Sequence, residues 1–308
     1  MNIHLSRVKH TYNNHPMIDS TRWDKYDHRP GDITISTTNK CGTTWMQTIV
    51  ANLLFQDGNL PGPVGDMSPW LEFLARPIEE VIDTLENQTH RRFIKTHLPF
   101  DGLPYFDTMK YIFITRDGRD VFMSLWNQIS GYREELKTTY KKRAKEFGVE
   151  FKVNYKDHNE FWGDWISRGF FEWQDEGYPY WSHFYHLKSW WEQKHLNNIL
   201  FIHYADMLAD PQRLIKKVAS FLNIEINDEM LPGILNRVSF DYMKANFEDI
   251  LPDTNKLWRD GGDRFMHKGK NNQWQGILTE AQLLQYDKAL NRTLSPEAAK
   301  WMANGGPI

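Results

Sequence analysis

The sequence predicts an α/β fold: a single domain whose central parallel sheet is flanked by helices on both faces. Short runs rich in isoleucine, phenylalanine and tyrosine alternate along the chain with longer segments of helical character. The runs are almost continuously apolar, which is typical of parallel strands buried on both faces. A chain of 308 residues, 40% apolar and 25% charged, is long enough for one large domain of this kind.

The individual elements follow from this alternation. The apolar runs predict strands at 32–36, 92–96, 111–115 and 199–204. The segments between and after them predict helices at 43–55, 78–86, 120–128, 186–195 and 211–222. Ligands of parallel sheets bind beyond the carboxyl ends of the strands. The residues that directly follow each strand are therefore the candidates for a functional site.

The turn after the first strand has the composition of a phosphate-binding site. Lys40 and Gly42 lie between a β-branched strand and a helix that begins with Thr43 and Thr44. A helix N-terminus offers unpaired N–H groups and partial positive charge. Glycine permits a close backbone approach, and the lysine and hydroxyls add donors. An ordinary strand–turn–helix corner with a surface lysine has the same local pattern, so both interpretations stay open at this point.

The turn is not a Walker A loop. In that motif the lysine follows the second glycine and precedes a serine or threonine. Here Lys40 precedes Gly42, and the motif occurs nowhere in the chain. A nucleotide bound here would therefore take part in a reaction other than ATP or GTP hydrolysis.

Charged and polar side chains follow the other strands as well. Lys95 and His97 end the second strand, Arg116 follows the third, and Tyr204 ends the fourth. Ser124 lies on the helix after Arg116. Taken singly, each has a simpler interpretation: a solvated strand end, a hydrogen-bonded loop histidine, or an arginine paired with a nearby aspartate. Their coincidence at one edge of the predicted sheet favours an anion-binding site.

Composition excludes several classes of protein. A net charge of −3 does not indicate a general nucleic-acid binder. One cysteine, Cys41, excludes an internal disulfide framework and is typical of a reducing compartment. The first residues show no apolar signal core, and no apolar run reaches transmembrane length. We therefore expect a cytoplasmic protein with no nucleic-acid or membrane partner.

Aromatic residues are abundant: the chain has 13 Trp, 13 Tyr and 18 Phe. Such residues line pockets for flat or hydrophobic ligands. A long insert at about 137–185 begins with a charged run at 141–146, predicted as a solvated helix face, and continues with clustered aromatics. We expect part of it to cover an acceptor pocket; a plain aromatic core under a loop is the alternative. The candidate pocket residues are Trp70, Phe73, Phe100, Trp165, Phe170 and Tyr180.

At these residues the chain resembles the cytosolic-type sulfotransferase family, and most of all its bacterial members. Residues 40–45 resemble the family's 5′-phosphosulfate loop, Arg116 with Ser124 its 3′-phosphate motif, and 265–270 its nucleotide-closing segment. Lys95-Thr96-His97 matches the catalytic tripeptide, and the pair Trp190-Trp191 and the region of Tyr204 also match. The resemblance covers about residues 32–278.

The resemblance implies both a reaction and a donor. The donor would be 3′-phosphoadenosine-5′-phosphosulfate (PAPS) and its product 3′-phosphoadenosine-5′-phosphate (PAP), with transfer of the sulfuryl group to a hydroxyl or amine of a small acceptor. His97 would be the general base, and Lys40 and Lys95 would stabilise the leaving phosphate. The two lysines stand where a kinase uses Mg²⁺, so no metal is expected. His183 and His186 have a spacing that could bind metal on a helix, but a third ligand is missing.

The resemblance also implies the residues that bind the donor, with a closing segment at about 260–275. They are Lys40, Cys41, Gly42, Thr43, Thr44, Trp45, Arg116, Ser124, Tyr204, Ser239, Phe240, Met266, His267, Lys268 and Gly269. Three positions depart from the common pattern: Cys41 replaces a serine, Val238 a threonine, and His267 an arginine. We expect Cys41 to pack as a small residue.

Some questions stay open at the level of the sequence. The family's C-terminal dimer signature is degraded: 275–280 keeps only Thr279, and Leu284 stands in place of a glutamate. Monomer and homodimer are therefore both compatible with the sequence. The alternative functions are a nucleotide kinase or NTPase on a related sheet and a non-catalytic nucleotide-binding protein. We expect a small aromatic or hydrophobic acceptor, because aromatic side chains favour phenols and hydrophobic alcohols over sugars.

Overall fold

The central sheet has four parallel strands. They are β1 (Ile33–Thr37), β2 (Phe93–Thr96), β3 (Lys110–Thr115) and β4 (Ile199–His203). Their spatial order is β2-β1-β3-β4. The computed structural model describes residues 9–252 and 254–308. It confirms the predicted α/β fold. Residues 1–8, in which the sequence predicts no signal segment, lie outside the described part.

Helices pack against both faces of the sheet. In chain order they are α1 (Thr43–Leu54), α2 (Val64–Met67), α3 (Ile78–Glu86), α4 (Gly118–Ser130), α5 (Glu134–Phe147), α6 (His158–Ser167), α7 (His183–Trp191), α8 (Tyr204–Ala209), α9 (Pro211–Leu222), α10 (Leu231–Arg237), α11 (Phe240–Ala245), α12 (Phe247–Ile250), α13 (Thr254–Leu257), α14 (Gly261–Phe265), α15 (Glu280–Thr293) and α16 (Pro296–Asn304). None of the helices in the described ranges combines the length and apolar character that crossing a membrane requires.

The strand register brings the candidate site together. Ser36 of β1 lies beside Thr96 of β2 on one side and Phe113 of β3 on the other. Thr115 at the end of β3 lies beside His203 at the end of β4. Because all four strands run in the same direction, the loops that follow them leave from one edge of the sheet.

Each face of the sheet is buried under a separate core. Ile35 and Ile112 point into the core that contains the apolar side chains of α1. Phe113 belongs to the opposite core, where its ring stacks on Trp190 of α7 at 5.3 Å. Successive strand residues point to opposite faces. Both faces are covered, so the strands are apolar at nearly every position, as the sequence indicated.

Element boundaries differ from the predictions by up to four residues. The helices predicted at 78–86 and 211–222 have those bounds in the structure. The largest difference is α7, predicted at 186–195. It begins earlier because the hydroxyl of Ser182 accepts a hydrogen bond from the backbone N–H of Tyr185 and caps the helix there.

The insert at 137–185 is packed into the domain. Its charged run lies on α5, and most of its residues are solvent-exposed, as predicted. The aromatic side chains that follow are buried: Phe161, Trp165 and Tyr180 expose at most 1% of their surface. The aromatic stretch is therefore mainly a layer of the large core, which was the alternative interpretation of this segment.

Candidate active site

A cavity of about 700 Å³ opens at the carboxyl edge of the sheet. Most of the donor-site residues predicted from the sequence line its wall. These residues are Lys40, Gly42, Thr43, Thr44, Trp45, Lys95, His97, Arg116, Ser124, Tyr204, Phe240, Met266, His267, Lys268 and Gly269. The structure thus brings together residues that are more than 200 positions apart in the chain.

The turn after β1 has the backbone shape of an anion cradle. Lys40 and Gly42 both adopt left-handed conformations, with φ of 67° and 95°. A Cβ on Gly42 would lie 2.9 Å from the ring of Tyr204, so only glycine fits there. Gly42 caps α1 without a side-chain hydrogen bond, and Thr43 and Thr44 line the cavity. The first turn of α1 therefore presents its N–H groups to a ligand.

The Lys40 ammonium group lies inside this cavity. Its Nζ is 4.2 Å from the centre of the Phe265 ring, a cation–π contact. Burial, together with the nearby charges of Arg116 and Lys95, lowers the pKa of Lys40 to about 7. An anion bound in the cradle would stabilise the charged form of this lysine.

Lys95 is held next to an aromatic wall and a buried carboxylate. Its Nζ lies 4.6 Å from the Trp70 ring, and burial lowers its pKa to about 8. Glu72 is fully buried nearby, and its negative charge raises the pKa of Lys95, which opposes the effect of burial. The Glu72 carboxylate accepts hydrogen bonds from the indole N–H groups of Trp23 and Trp70 and from the backbone N–H of His97.

His97 is oriented as a proton acceptor. Its Nδ1 lies 2.7 Å from the backbone carbonyl oxygen of Thr37. A carbonyl only accepts hydrogen bonds, so Nδ1 carries the proton and Nε2 has a free lone pair. Burial, followed by the charge of Lys95, lowers the pKa of His97 well below 6.5. The neutral imidazole is therefore the stable form, and His97 lines the cavity.

Arg116 lies where the closing segment at about 260–275 meets the sheet. Its Nη2 donates to the carbonyl oxygen of Lys270 at 2.6 Å, and its Nε donates to Oδ1 of Asn271 at 3.3 Å. The guanidinium lies over the ring of Tyr204 at 4.3 Å. Ser124 of α4 lines the same cavity. An arginine with an adjacent hydroxyl is a suitable pair for a phosphate.

The closing segment is bonded to and packed against the rest of the site. Gly269 has a φ of 59°, and a Cβ there would lie 2.6 Å from the ring of Phe240. The carboxylate of Asp120 accepts hydrogen bonds from the backbone N–H groups of Asn272 and Gln273, each at 2.8 Å. These contacts place the segment over the cavity and against α4.

Two predicted donor-site residues do not line the wall. The hydroxyl of Ser239 caps α11 by accepting from the backbone N–H of Tyr242. The side chain of Cys41 is fully buried beneath the turn, and burial raises the pKa of its thiol to about 12. His267, which replaces the family arginine, does line the wall. Burial and the charge of Lys268 lower the pKa of its imidazole.

The far end of the cavity is apolar. Trp70 and Phe73 form one wall as a stacked pair with ring centres 4.4 Å apart. Further side chains on the wall are Tyr132, Leu136, Tyr140, Leu257 and Trp258. We call this set, with Trp70 and Phe73, the apolar end. Of the six pocket residues predicted from the sequence, Trp70 and Phe73 are thus placed on the cavity wall.

The other four predicted pocket residues belong to the core, which corrects that prediction. Phe100 packs against Trp190, with ring centres 5.1 Å apart, and Trp165 packs against Phe122 at 5.3 Å. Phe170 packs edge-on against His15 at 4.3 Å, and the hydroxyl of Tyr180 is hydrogen-bonded to that of Tyr132. An aromatic residue signals burial, but the sequence does not say whether it lines a cavity or fills the interior.

Several site residues were missed by the sequence interpretation. Thr37 orients His97 through a main-chain atom, which leaves no sequence signal. Glu72 is a single acidic residue within an apolar run, and that contrast was the available signal.

The ring nitrogens of His183 contact the hydroxyl of Thr38 and the carbonyl of Arg116. Within the described residues, no group of three or more potential metal ligands is found.

Comparison with known proteins identifies the family. A family model described as "Sulfotransferase domain" matches residues 30–304. The chain belongs to the sulfotransferase family. A glycolipid sulfotransferase of Mycobacterium tuberculosis (strain ATCC 25177 / H37Ra) is 33% identical over 304 residues, which cover 94% of this chain and 93% of the relative. Sulfotransferase 1A1 of Rattus norvegicus is 30% identical over 290 residues, which cover 91% and 88%.

Solved structures related to this sulfotransferase share its fold. A mouse sulfotransferase complexed with PAP has a TM-score of 0.65 at 22% identity, with 92% of this chain and 94% of that chain covered. Retinol dehydratase in complex with androsterone and inactive cofactor PAP has a TM-score of 0.67 at 21% identity, with coverage of 91% and 87%. Family and fold together identify the chain as an enzyme of the sulfotransferase class.

Proposed function

We propose that this sulfotransferase transfers the sulfuryl group of PAPS to a hydroxyl, or an amine, of a small aromatic or hydrophobic acceptor. One observation carries the proposal. A single cavity contains an anion cradle, the cationic side chains of Lys40, Lys95 and Arg116, and His97 with a free Nε2. The PAP in the two related structures supports the choice of nucleotide.

The donor end of the cavity suits PAPS in charge and shape. The N–H groups at the start of α1, with Thr43 and Thr44, would bind the 5′-phosphosulfate. Arg116 and Ser124 would bind the 3′-phosphate. The segment at 260–275 would close over the nucleotide, since its backbone already bonds to Arg116 and to α4.

The reaction is a displacement at sulfur. A lone pair of the acceptor oxygen forms the new O–S bond, while the bond from sulfur to the 5′-phosphate oxygen breaks and leaves its electron pair on PAP. The proton of the acceptor hydroxyl moves to Nε2 of His97. Lys40 and Lys95 stabilise the charge that develops on the leaving phosphate. These two lysines supply positive charge at the reacting group, so we propose that no metal is required.

The apolar end of the cavity supports a hydrophobic acceptor. Trp70 and Phe73 offer flat surfaces, and Trp70 also contacts His97 edge-on at 4.7 Å. An acceptor ring lying against Trp70 would therefore be close to the proposed base. Of the insert at 137–185, α5 contributes Tyr140 to the wall. We propose α5, and not the aromatic stretch that follows it, as the cover of the acceptor.

The relatives suggest a second type of acceptor to be tested. The mycobacterial relative is named a glycolipid sulfotransferase. A glycolipid also combines a hydroxyl with a large apolar body, which the apolar end of this cavity would accommodate. Both types of acceptor therefore belong in the same assay.

A sulfate-transfer screen tests the proposal. Purified protein is incubated with PAPS and EDTA, and with phenols, steroid alcohols, aliphatic alcohols, sugars or glycolipids; sulfated products are measured by mass spectrometry. We expect transfer to at least one hydrophobic hydroxyl compound. Phe73→Ala should raise the acceptor KM while leaving the PAPS KM unchanged, because Phe73 lies on the apolar wall.

The other hypotheses predict different results in the same screen. Binding of PAP without transfer to any acceptor would favour a non-catalytic nucleotide-binding protein. Turnover of ATP that depends on Mg²⁺ would favour a kinase or NTPase. Absence of both PAP binding and sulfate transfer would disprove the proposed function.

A further inference from the structure

A chain of buried hydrogen bonds joins the ends of β1 and β3 beneath the phosphate-binding turn. At its centre is His183 of α7, whose Nδ1 lies 2.6 Å from the hydroxyl of Thr38. Its Nε2 lies 2.9 Å from the carbonyl oxygen of Arg116. The Thr38 hydroxyl is in turn 3.1 Å from the sulfur of Cys41. All four residues expose less than 5% of their surface.

The direction of each hydrogen bond follows from the chemistry of the partners. The carbonyl of Arg116 only accepts, so Nε2 of His183 carries the proton. Burial lowers the pKa of His183 to about 4, so the ring is neutral and its Nδ1 has no proton. Nδ1 therefore accepts from the Thr38 hydroxyl. The thiol of Cys41 can then donate to the Thr38 oxygen, or to the carbonyl of Asn39 at 3.7 Å.

The position of His183 is itself determined by a buried carboxylate. Glu176 is fully buried and accepts a hydrogen bond from the hydroxyl of Ser182. It also accepts from the backbone N–H groups of His183 and Phe184, at 3.3 and 3.0 Å. The first turn of α7 is thereby anchored, and with it the ring that joins the two strand ends.

The two elements that His183 joins are the two halves of the proposed donor site. Thr38 begins the turn that carries Lys40 and Gly42, and Arg116 is the proposed 3′-phosphate ligand. The turn holds Lys40 in a left-handed conformation, which costs free energy for a residue other than glycine unless the surroundings hold it. A bond from Nη1 of Arg116 to the carbonyl of Lys40, at 3.4 Å, also links the two halves directly.

We propose that His183 is a positioning residue for donor binding, which acts by holding the turn after β1 at a set distance from Arg116 through Thr38. The proposal rests on the function proposed above, because PAPS would span both elements. His183 does not touch the reacting atoms in this arrangement. Its loss should therefore weaken nucleotide binding much more than it slows the chemical step.

Substitutions at Thr38 test the link with little change of shape. Thr38→Val keeps the volume but removes the hydroxyl, whereas Thr38→Ser keeps the hydroxyl. We expect Thr38→Val to weaken PAP binding about tenfold by calorimetry and to raise the PAPS KM similarly, with kcat within about threefold of wild type. Thr38→Ser should bind within about twofold of wild type, a rescue that a general packing defect would not give.

The control is another buried histidine, whose ring also donates one hydrogen bond to a carbonyl and accepts one at the other nitrogen. His15 accepts from the backbone N–H of Met17 and donates to the carbonyl of Pro179. His15→Gln should leave PAP affinity unchanged, whereas His183→Gln should weaken it. Thermal unfolding of every variant shows whether it is folded at the assay temperature.

A second readout uses the one cysteine of the chain and needs no nucleotide. Cys41 is fully buried, so a thiol reagent reacts only when the turn opens. We expect iodoacetamide to modify Thr38→Val and His183→Gln at least about tenfold faster than wild type, Thr38→Ser or His15→Gln. Thiol modification of Thr38→Val at the wild-type rate would overturn the proposal. If wild type failed to bind PAP, the proposed function would fail, while the modification rates would still decide this inference.

Discussion

The carboxylate of Glu72 accepts a hydrogen bond from the backbone N–H of His97 at 2.7 Å. The same carboxylate accepts from the indole N–H of Trp70, whose ring contacts the imidazole of His97 edge-on. The carbonyl of Thr37 holds the other side of the imidazole through Nδ1. His97 is therefore held by its backbone, its ring face and one ring nitrogen, which leaves Nε2 in one orientation.

This arrangement predicts that Glu72→Leu lowers both stability and activity. Leucine has no acceptor atom, so the buried donors of Trp70, Thr96 and His97 would lose their shared partner. We expect the free energy of unfolding to fall by about 2 kcal/mol. We also expect kcat to fall, because His97 and Trp70 are no longer held in place. Denaturant unfolding and sulfate-transfer kinetics measure the two effects.

Trp23→Phe is the matched control for Glu72. The Trp23 indole donates to Oε2 of the carboxylate, whereas His97 donates to Oε1. This variant should lose stability but keep a kcat close to wild type. Equal losses of kcat in the two variants would show that Glu72 contributes only to stability.

His97→Ala should remove the proposed base and leave donor binding intact. General base catalysis contributes about 10²- to 10⁴-fold, so we expect a loss of kcat in that range. PAP affinity should stay within about twofold of wild type, because the phosphates are bound by other residues. Rapid-quench kinetics and calorimetry measure the two quantities. An unchanged kcat would exclude His97 as the base.

Lys40 should make donor binding dependent on pH. Its pKa of about 7 and the pKa of about 8 for Lys95 mean that these groups are partly uncharged above neutral pH in the free protein. A bound anion raises both pKa values, so PAP binding should take up about one proton at pH 8 and fewer at pH 6.5, where both groups are already charged. Calorimetry in buffers of different ionisation enthalpy measures the uptake.

Two lysine variants test whether Lys40 is the group that takes up the proton. Lys40→Met should abolish most of the proton uptake at pH 8 and weaken PAP binding. Lys216→Met, at an exposed lysine of α9, should change neither. Uptake that persists in Lys40→Met would assign the titration to another group.

Arg116 should make the site prefer nucleotides that carry a 3′-phosphate over those that lack it. Arg116→Lys keeps the charge but loses the planar fork that grips a phosphate. We expect PAP affinity to fall about 10- to 100-fold, a loss of about 1.4 to 2.7 kcal/mol, while affinity for AMP, which lacks the 3′-phosphate, changes little. A parallel loss for both nucleotides would mean that Arg116 acts on the whole site through Lys40 and Lys270 instead.

The sequence predicted most of the polar part of the site because that part follows directly from strand ends. Lys95, His97 and Arg116 come immediately after apolar runs, and parallel strands bring such positions to one edge. The phosphate-binding turn was visible because Lys40 and Gly42 precede a helix. These are local patterns, and they survive errors of a few residues in the element boundaries.

The apolar end was harder to predict because burial alone does not define a cavity wall. Phe73 and Phe100 look equivalent in the sequence, yet Phe73 lines the cavity and Phe100 packs against Trp190. Glu72 and Thr37 act on His97, which lies 25 and 60 positions away from them in the chain. The histidine spacing in α7 suggested metal chemistry, whereas the ring of His183 bonds to two strand ends.

The sequence by itself determined the parallel sheet, the anion cradle and the family, because each depends on the order and spacing of residues along the chain. The tertiary structure alone decided which ring nitrogen of His97 is free, which aromatic side chains line the cavity, and how His183 joins Thr38 to Arg116. Those properties depend on distances between groups that are far apart in the chain, and only packing sets such distances.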